Sequence, residues 1–227
     1  MKPTTTRCRR YALLLSLIAA LTLSLTPWVM AQQTHPQLPA AKQTTPGLYV
    51  TAREAYEKWQ ADPDNVMILD VRTTEEYLFV GHAPMAWNVP LMSQTYEWDA
   101  EKNYFALKPN RGFISQVREF TDPGDTILVM CRSGGRSAMA VNMLATAGFT
   151  NVYNITDGME GDAVKEPGSV YQGQRLKNGW KNSGIPWTYQ PDPCLLYTSP
   201  SPRDNQPHRV CRLLLEKGGG GGGGGGG

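Results

Sequence analysis

Two short, continuous apolar runs constrain the fold of this chain more than any other feature. They are VMILDV at residues 66–71 and TILVM at residues 126–130, and neither alternates between apolar and polar side chains. A strand of this kind is buried on both faces, as parallel strands covered by helices are. Segments of helical character alternate with these strands. The pattern therefore predicts an α/β fold with a mainly parallel central sheet and helices on both faces.

Two capping boxes mark where helices begin. Thr51 is followed three residues later by Glu54, and Thr73 is followed in the same way by Glu76. In this arrangement the Thr hydroxyl accepts from the third amide of the helix, and the Glu carboxylate accepts from the Thr amide. We therefore predict one helix behind each Thr, with Gly81 ending the second.

The rest of the domain is less regular until its last third. Residues 93–110 are polar and aromatic, and we interpret them as a connection. Residues 112–120 have apolar side chains at helical spacing. Residues 137–148 are strong helix formers that end at a glycine, and residues 152–155 indicate a further strand.

The N-terminal segment has the order of a secretory signal. Basic residues precede an apolar run at residues 12–25, and small residues follow, which predicts cleavage after Ala31. We expect an exported protein, in the periplasm of a bacterium, with no stable membrane insertion after cleavage of residues 1–31. The alternative is an uncleaved membrane anchor, for which the apolar run is short. Residues 32–47 are rich in Gln, Pro and Thr and predict a flexible leader.

The other end of the chain has low complexity. Residues 48–193 form the predicted domain, and residues 194–227 contain CLLYTSPSPRD and a closing run of glycines. Such a tail cannot bury a core. The first segment looks like translated sequencing adaptor, so we interpret the tail as artefactual, with a natural flexible linker as the alternative.

Composition excludes several function classes. The chain has 22 Lys and Arg against 20 Asp and Glu, but both ends are basic and the domain between them is mildly acidic. A nucleic-acid partner would require a basic surface, and none is expected. His35 and His82 are the two histidines between the signal and the tail, so a His-rich metal site is not predicted. We also predict no cofactor. Cys131 is the single cysteine there and has no partner for a disulfide within the domain.

The loop after the second apolar strand has the strongest chemical signal. It begins with Cys131, our candidate nucleophile, and continues with the substrate-binding candidates Arg132, Ser133, Gly134, Gly135, Arg136 and Ser137. The two glycines let the backbone curl with its amides inward, and the next helix points its positive end at the same place. This cradle favours an anion, including the thiolate of the cysteine. The two arginines could fork onto an oxyanion. A buried, inert cysteine before a glycine turn is the alternative.

Three separated motifs resemble the rhodanese family of sulfurtransferases. They are CRSGGRS in this loop, DVRTTEEY at residues 70–77 and GHAPMAWNVP at residues 81–90. The resemblance extends from residue 48 to about residue 190 and implies a rhodanese-like fold and a persulfide intermediate on Cys131. The sequence departs from the family pattern at Ala83 and Met85, and residues 162–172 look inserted.

The expected reaction follows from the loop and the resemblance together. The thiolate of Cys131 would take the outer sulfur of a small anionic donor such as thiosulfate, and cyanide or a thiol would then accept it. A protein could also be the sulfur acceptor. Asp70, Arg72 and His82 are expected in supporting roles around the loop.

Two alternative functions remain at this point. A rhodanese fold can serve as a sulfur-delivery or binding module with little turnover of its own. A cysteine phosphatase needs Arg six positions after its nucleophile, whereas Arg136 is five positions after Cys131 and Ser137 occupies the sixth. The phosphatase alternative is therefore disfavoured.

Overall fold

The computed structural model describes residues 38–197. Seven strands lie in this range, numbered along the chain: β1 (Tyr49–Val50), β2 (Val66–Asp70), β3 (Trp87–Asn88), β4 (Met92–Asp99), β5 (Tyr104–Pro109), β6 (Thr126–Met130) and β7 (Asn151–Ile155). Five of them form a central sheet in the order β1-β7-β6-β2-β3, and every neighbouring pair in it is parallel. The predicted α/β fold with a mainly parallel sheet is confirmed.

Four α-helices connect or flank these strands: α1 (Ala52–Ala61), α2 (Thr74–Val80), α3 (Phe113–Val117) and α4 (Gly135–Thr146). Both predicted capping boxes are confirmed. Thr51 and Glu54 exchange side-chain and backbone hydrogen bonds at the start of α1, and Thr73 and Glu76 do the same at α2. Local sequence therefore fixes where these two helices begin.

The central sheet has a hydrophobic core on each face, because successive side chains of a strand point to opposite sides. On β6, Ile127 and Val129 belong to the core that includes residues of α3 and α4. Leu128 and Met130 belong to the core on the other side, which includes residues of α1 and Trp180. All four side chains are fully buried. Helices thus cover both faces, as predicted.

Strand register determines where the cysteine loop emerges. β2 and β6 pair from Val66 with Thr126 to Asp70 with Met130, so the two strands end side by side. Cys131 is the next residue after β6 and therefore lies at the carboxyl edge of the sheet, beside the end of β2. Ligands of open parallel sheets bind at this edge.

The remaining two strands form a separate antiparallel hairpin. β4 pairs with β5, with an irregularity in register between Gln94 and Trp98. The sequence prediction of a connection over residues 93–110 is therefore wrong. The hairpin is largely exposed, so it lacks the continuous apolar runs that identify the buried strands. Its irregular register also interrupts the alternation of apolar and polar side chains that would indicate an exposed strand.

Parts of the predicted leader and tail are ordered against the domain. Residues 38–47, within the predicted flexible leader, include a 3-10 helix (Ala40–Lys42), and the Lys42 ammonium lies 3.1 Å from Asp162. At the other end, the amide of Tyr197 donates to the carbonyl of Asn88, and its ring is buried. The predicted signal at 1–31 and the tail from residue 198 lie outside the described residues. Between residues 38 and 197, no helix is long and apolar enough to cross a membrane.

Candidate active site

Cys131 occupies the centre of the site at the end of β6. The residue is 2% exposed, and it is the free cysteine within residues 38–197. Its Sγ atom lies 3.2 Å from the amide of Gly134 and 3.3 Å from the hydroxyl oxygen of Ser137. Two donors can therefore converge on this sulfur from the first turn of α4 and the residue before it. Such donors stabilise a negative charge on sulfur.

A hydrogen-bond network continues from Ser137 to Asn154 on β7. The Ser137 hydroxyl lies 2.6 Å from Oδ1 of Asn154, whose Nδ2 donates to the carbonyls of Lys42 and Gly134. Because a hydroxyl has one proton, Ser137 can either donate to Asn154 while accepting from a Cys131 thiol, or donate to an anionic sulfur. The network can thus satisfy both protonation states of the sulfur.

The curl of the loop depends on one glycine of the pair. Gly134 has a φ of +96°, and a Cβ atom there would lie 2.2 Å from the carbonyl oxygen of Thr156. Gly135 has no such requirement, since it is the first residue of α4 and a Cβ would meet only the Ala41 oxygen, at 3.8 Å. The expectation that both glycines bend the backbone is therefore wrong, and Gly134 alone does so.

Backbone amides and one cation remain available at the mouth of the loop. Within residues 38–197, no protein acceptor receives a hydrogen bond from the amides of Ser133, Gly135 and Arg136. The Arg132 side chain is exposed and makes no hydrogen bond or ion pair to any described residue. Unpaired amides at a helix start attract anions. The loop can therefore hold an anionic group next to Cys131.

Arg136 has a different partner from the one expected. Its Nη1 and Nη2 atoms each donate to one oxygen of Glu76 on α2, both at 2.6 Å. Burial acts to raise the pKa of Glu76, but hydrogen bonds and charge from Arg136 outweigh it, and the pKa is lowered. Burial likewise opposes the charge of Arg136, whereas Glu76 and then Cys131 raise its pKa. The fork predicted for a substrate oxyanion is thus occupied by a carboxylate, which leaves Arg132 as the uncompensated cation of the loop.

The three supporting candidates are buried away from the mouth of the loop. Asp70 and Arg72 form a fully buried ion pair at 2.6 Å, and Arg72 also donates to the carbonyl of Gly81. His82 stacks on Tyr77 at 3.8 Å between ring centroids, and its Nδ1 lies 3.1 Å from the Tyr77 carbonyl oxygen. Burial lowers the pKa of His82. These contacts connect the end of β2 to α2 and to the segment after it.

A cleft opens beside the loop, with a volume of about 720 Å³. One wall consists of Arg132 and Arg136 with Thr73 and Glu76 at the start of α2, and the other wall is the β4–β5 hairpin. The hairpin residues that line the cleft are Met92, Gln94, Trp98, Asn103, Tyr104, Phe105 and Leu107. The cleft therefore has a charged side next to the cysteine loop and a mainly apolar side opposite.

Sequence reasoning missed two residues of the site. Asn154 is a polar residue inside the otherwise apolar strand NVYNI, a signal that could have been found. Glu76 was identified only as part of a capping box. Its second partner, Arg136, is 60 residues away along the chain, and no local pattern indicates that pairing.

Comparison with known proteins agrees with this description. The family model of the rhodanese-like domain matches residues 51–163. Uncharacterized protein RP600 of Rickettsia prowazekii is 33% identical over 128 residues, covering 56% of this chain and 85% of that protein. Thiosulfate sulfurtransferase 16, chloroplastic, of Arabidopsis thaliana is 41% identical over 90 residues, covering 40% of this chain and 68% of that protein. The crystal structure of Rv0390 from M. tuberculosis aligns with a TM-score of 0.49 and 26% identity, over 62% of this chain and 96% of the other.

Proposed function

We propose that this chain, which belongs to the rhodanese-like domain family, is a sulfurtransferase that moves a sulfane sulfur from thiosulfate or a similar donor to a thiophilic acceptor through a persulfide on Cys131. Two similar proteins of Arabidopsis thaliana are named as thiosulfate sulfurtransferases. One observation carries the proposal for this chain: the Gly134 amide donates to the sulfur of Cys131, the Ser137 hydroxyl lies within hydrogen-bond distance of it, and unpaired amides and Arg132 lie at the mouth of the same loop.

The first step forms the persulfide. The thiolate of Cys131 attacks the outer sulfur of thiosulfate, a new S–S bond forms, and the bond between the two donor sulfurs breaks. The electron pair of that bond leaves with the sulfonyl group as sulfite. Arg132 would attract the dianionic donor to the mouth of the loop, and the free amides would hold its oxygens. No net oxidation and no proton transfer is required.

The second step returns the enzyme to its starting state. A nucleophilic acceptor, cyanide or a thiolate, attacks the outer sulfur of the persulfide, and the electron pair of the S–S bond returns to Cys131. The persulfide is itself an anion, so the donors from Gly134 and Ser137 that face the sulfur can stabilise both the starting thiolate and the intermediate.

The test is a thiosulfate-to-cyanide assay on the full chain, with intact mass recorded after exposure to thiosulfate alone. We expect the gain of one sulfur atom and continuous thiocyanate formation. Cys131→Ser should abolish both, because a hydroxyl is not ionised at neutral pH. A persulfide that forms once and gives no turnover would indicate a sulfur-delivery module, and sulfur loading of the Cys131→Ser variant would remove this residue from the mechanism.

A further inference from the structure

The β4–β5 hairpin has two chemically different faces. Trp98 stands opposite Phe105 and Gln94 opposite Leu107, and all four side chains line the cleft beside the cysteine loop. Ser93 and Lys108 face each other on the alternate face and do not line the cleft, whereas Tyr104, in the pair that closes the turn, does. The apolar side of an amphipathic ribbon normally packs against a core. Here it faces an open cleft instead.

The aromatic side chains of this wall are accessible and arranged for contact. Trp98 and Phe105 lie edge to face, with centroids 5.3 Å apart, and both remain about half exposed. Such rings give a large contact area for an apolar group. The opposite wall supplies Arg132, whose charge no described residue neutralises. The cleft thus combines an apolar wall with a cation next to Cys131.

From these features we infer that the β4–β5 hairpin binds the organic part of the sulfur donor. The site would then prefer a small organic anion that has an aromatic or similarly broad apolar group over an inorganic donor. The inference rests on the proposed function. A cleft of about 720 Å³ is of the size that binds such organic molecules, whereas an ion as small as thiosulfate would leave most of it unfilled. The anionic end lies at Arg132, and the body lies against Trp98 and Phe105.

A thiosulfonate, in which an apolar group replaces one oxygen of thiosulfate, has this chemistry. The Cys131 thiolate forms a bond to its outer sulfur, and the bond from that sulfur to the sulfonyl sulfur breaks. The electron pair leaves with the sulfinate, so that atoms and charge balance without an oxidant or a proton. Benzene- and methanethiosulfonate carry the same reacting group and differ only in the body that the hairpin would contact.

The first arm of the test measures binding, which requires no turnover. Benzenesulfinate and methanesulfinate, the two leaving groups, are titrated into the full chain by calorimetry. We expect the aromatic anion to bind about tenfold more tightly, from ring contacts of the usual strength. Trp98→Ala should remove most of this preference, and Trp98→Phe should retain it. Tyr96→Ala is the control, because Tyr96 is 98% exposed on the same hairpin and does not line the cleft.

The second arm compares kcat/KM for the two thiosulfonates with cyanide as acceptor. The ratio of benzene to methane donor should fall about five- to tenfold in Trp98→Ala and stay unchanged in Tyr96→Ala. Equal affinity for both sulfinates, or a preference that survives Trp98→Ala, overturns the inference. If the aromatic preference is present but no donor places sulfur on Cys131, the cleft assignment stands and the proposed function fails.

Discussion

The ion pair between Arg136 and Glu76 joins the cysteine loop to helix α2, and its removal should have a measurable cost. Two parallel hydrogen bonds of 2.6 Å connect the groups, and the side chains are 18% and 22% exposed. Exposed pairs contribute up to about 1 kcal/mol, and breaking a fully buried one costs about 3–5 kcal/mol. For this forked, mostly buried pair we expect a coupling free energy of about 1–2 kcal/mol at pH 7.

The coupling should depend on pH with a defined sign. Arg136 keeps the folded pKa of Glu76 below its ordinary value of 4.5, despite burial. A carboxylate with a lowered folded pKa adds stability that is complete above the unfolded pKa and is lost as the pH falls through the folded pKa. In Arg136→Met, burial is no longer outweighed and the pKa of Glu76 should rise. The stability difference between the native chain and this variant should therefore shrink as the pH falls from the raised pKa of Glu76 in the variant to its lowered pKa in the native chain.

The assay is a double-mutant cycle with Arg136→Met and Glu76→Gln, followed by urea unfolding at pH 7 and at acidic pH. Met retains an unbranched apolar stem like that of Arg but lacks the guanidinium, so the change removes mainly the charge and its hydrogen bonds. The matched control is the Lys177–Glu166 pair, which is as short, at 2.7 Å, but 47% and 60% exposed. Its coupling should be much weaker than that of the Arg136–Glu76 pair, because water screens exposed charges. Equal coupling in the two cycles would refute the reasoning from burial and geometry.

Three further predictions concern the loop and its surroundings. Ser137→Ala should slow persulfide formation about tenfold or more, because the anionic sulfur loses a hydrogen-bond donor. The rate of sulfur loading by thiosulfate checks this prediction. Ser115→Ala, which removes an exposed hydroxyl outside the hydrogen-bond network around the sulfur, is the control. Arg132→Ala should raise KM for thiosulfate and leave the melting temperature unchanged, since the side chain has no described partner; a large loss of stability with unchanged KM would contradict its assigned role. Burial lowers the folded pKa of His82 below 6.5, so the free energy of unfolding should fall as the pH drops below that value, and His82→Phe should reduce this dependence in urea titrations. An identical pH slope in that variant would show that another group titrates.

The sequence predicted the buried part of the fold well. Strand β6 has the predicted bounds, β2 and β7 differ from theirs by one residue, and both capping boxes form. These features depend on local chemistry: apolar runs need burial on both faces, and the Thr–Glu pairs satisfy amides within one turn of helix. The cysteine loop was also found from sequence, since its residues are contiguous and its position after a buried strand is set by topology.

Predictions failed where contacts between distant parts of the chain decide the structure. The sequence predicts a connection where the exposed hairpin lies, because the hairpin lacks a buried face and its register is irregular. Arg136 was assigned to substrate, but Glu76 lies within reach only because α2 and α4 meet at the same edge of the sheet. Gly135 was given a conformational role that its ordinary backbone does not require.

By itself, the sequence therefore determined the α/β class, the position of Cys131 at a strand end and the glycine turn of the loop that follows. Each of these is set by residues adjacent in the chain, through hydrogen bonds and burial that act over a few positions. Tertiary structure alone decided that Arg136 forms an ion pair and Arg132 does not. It also placed Asn154 in the hydrogen-bond network around the sulfur and the hairpin at the apolar wall of the cleft. These features arise because segments far apart in sequence pack together. Whether a charge is neutralised, and what shape a cleft has, depends on distances between those segments, which no local sequence pattern encodes.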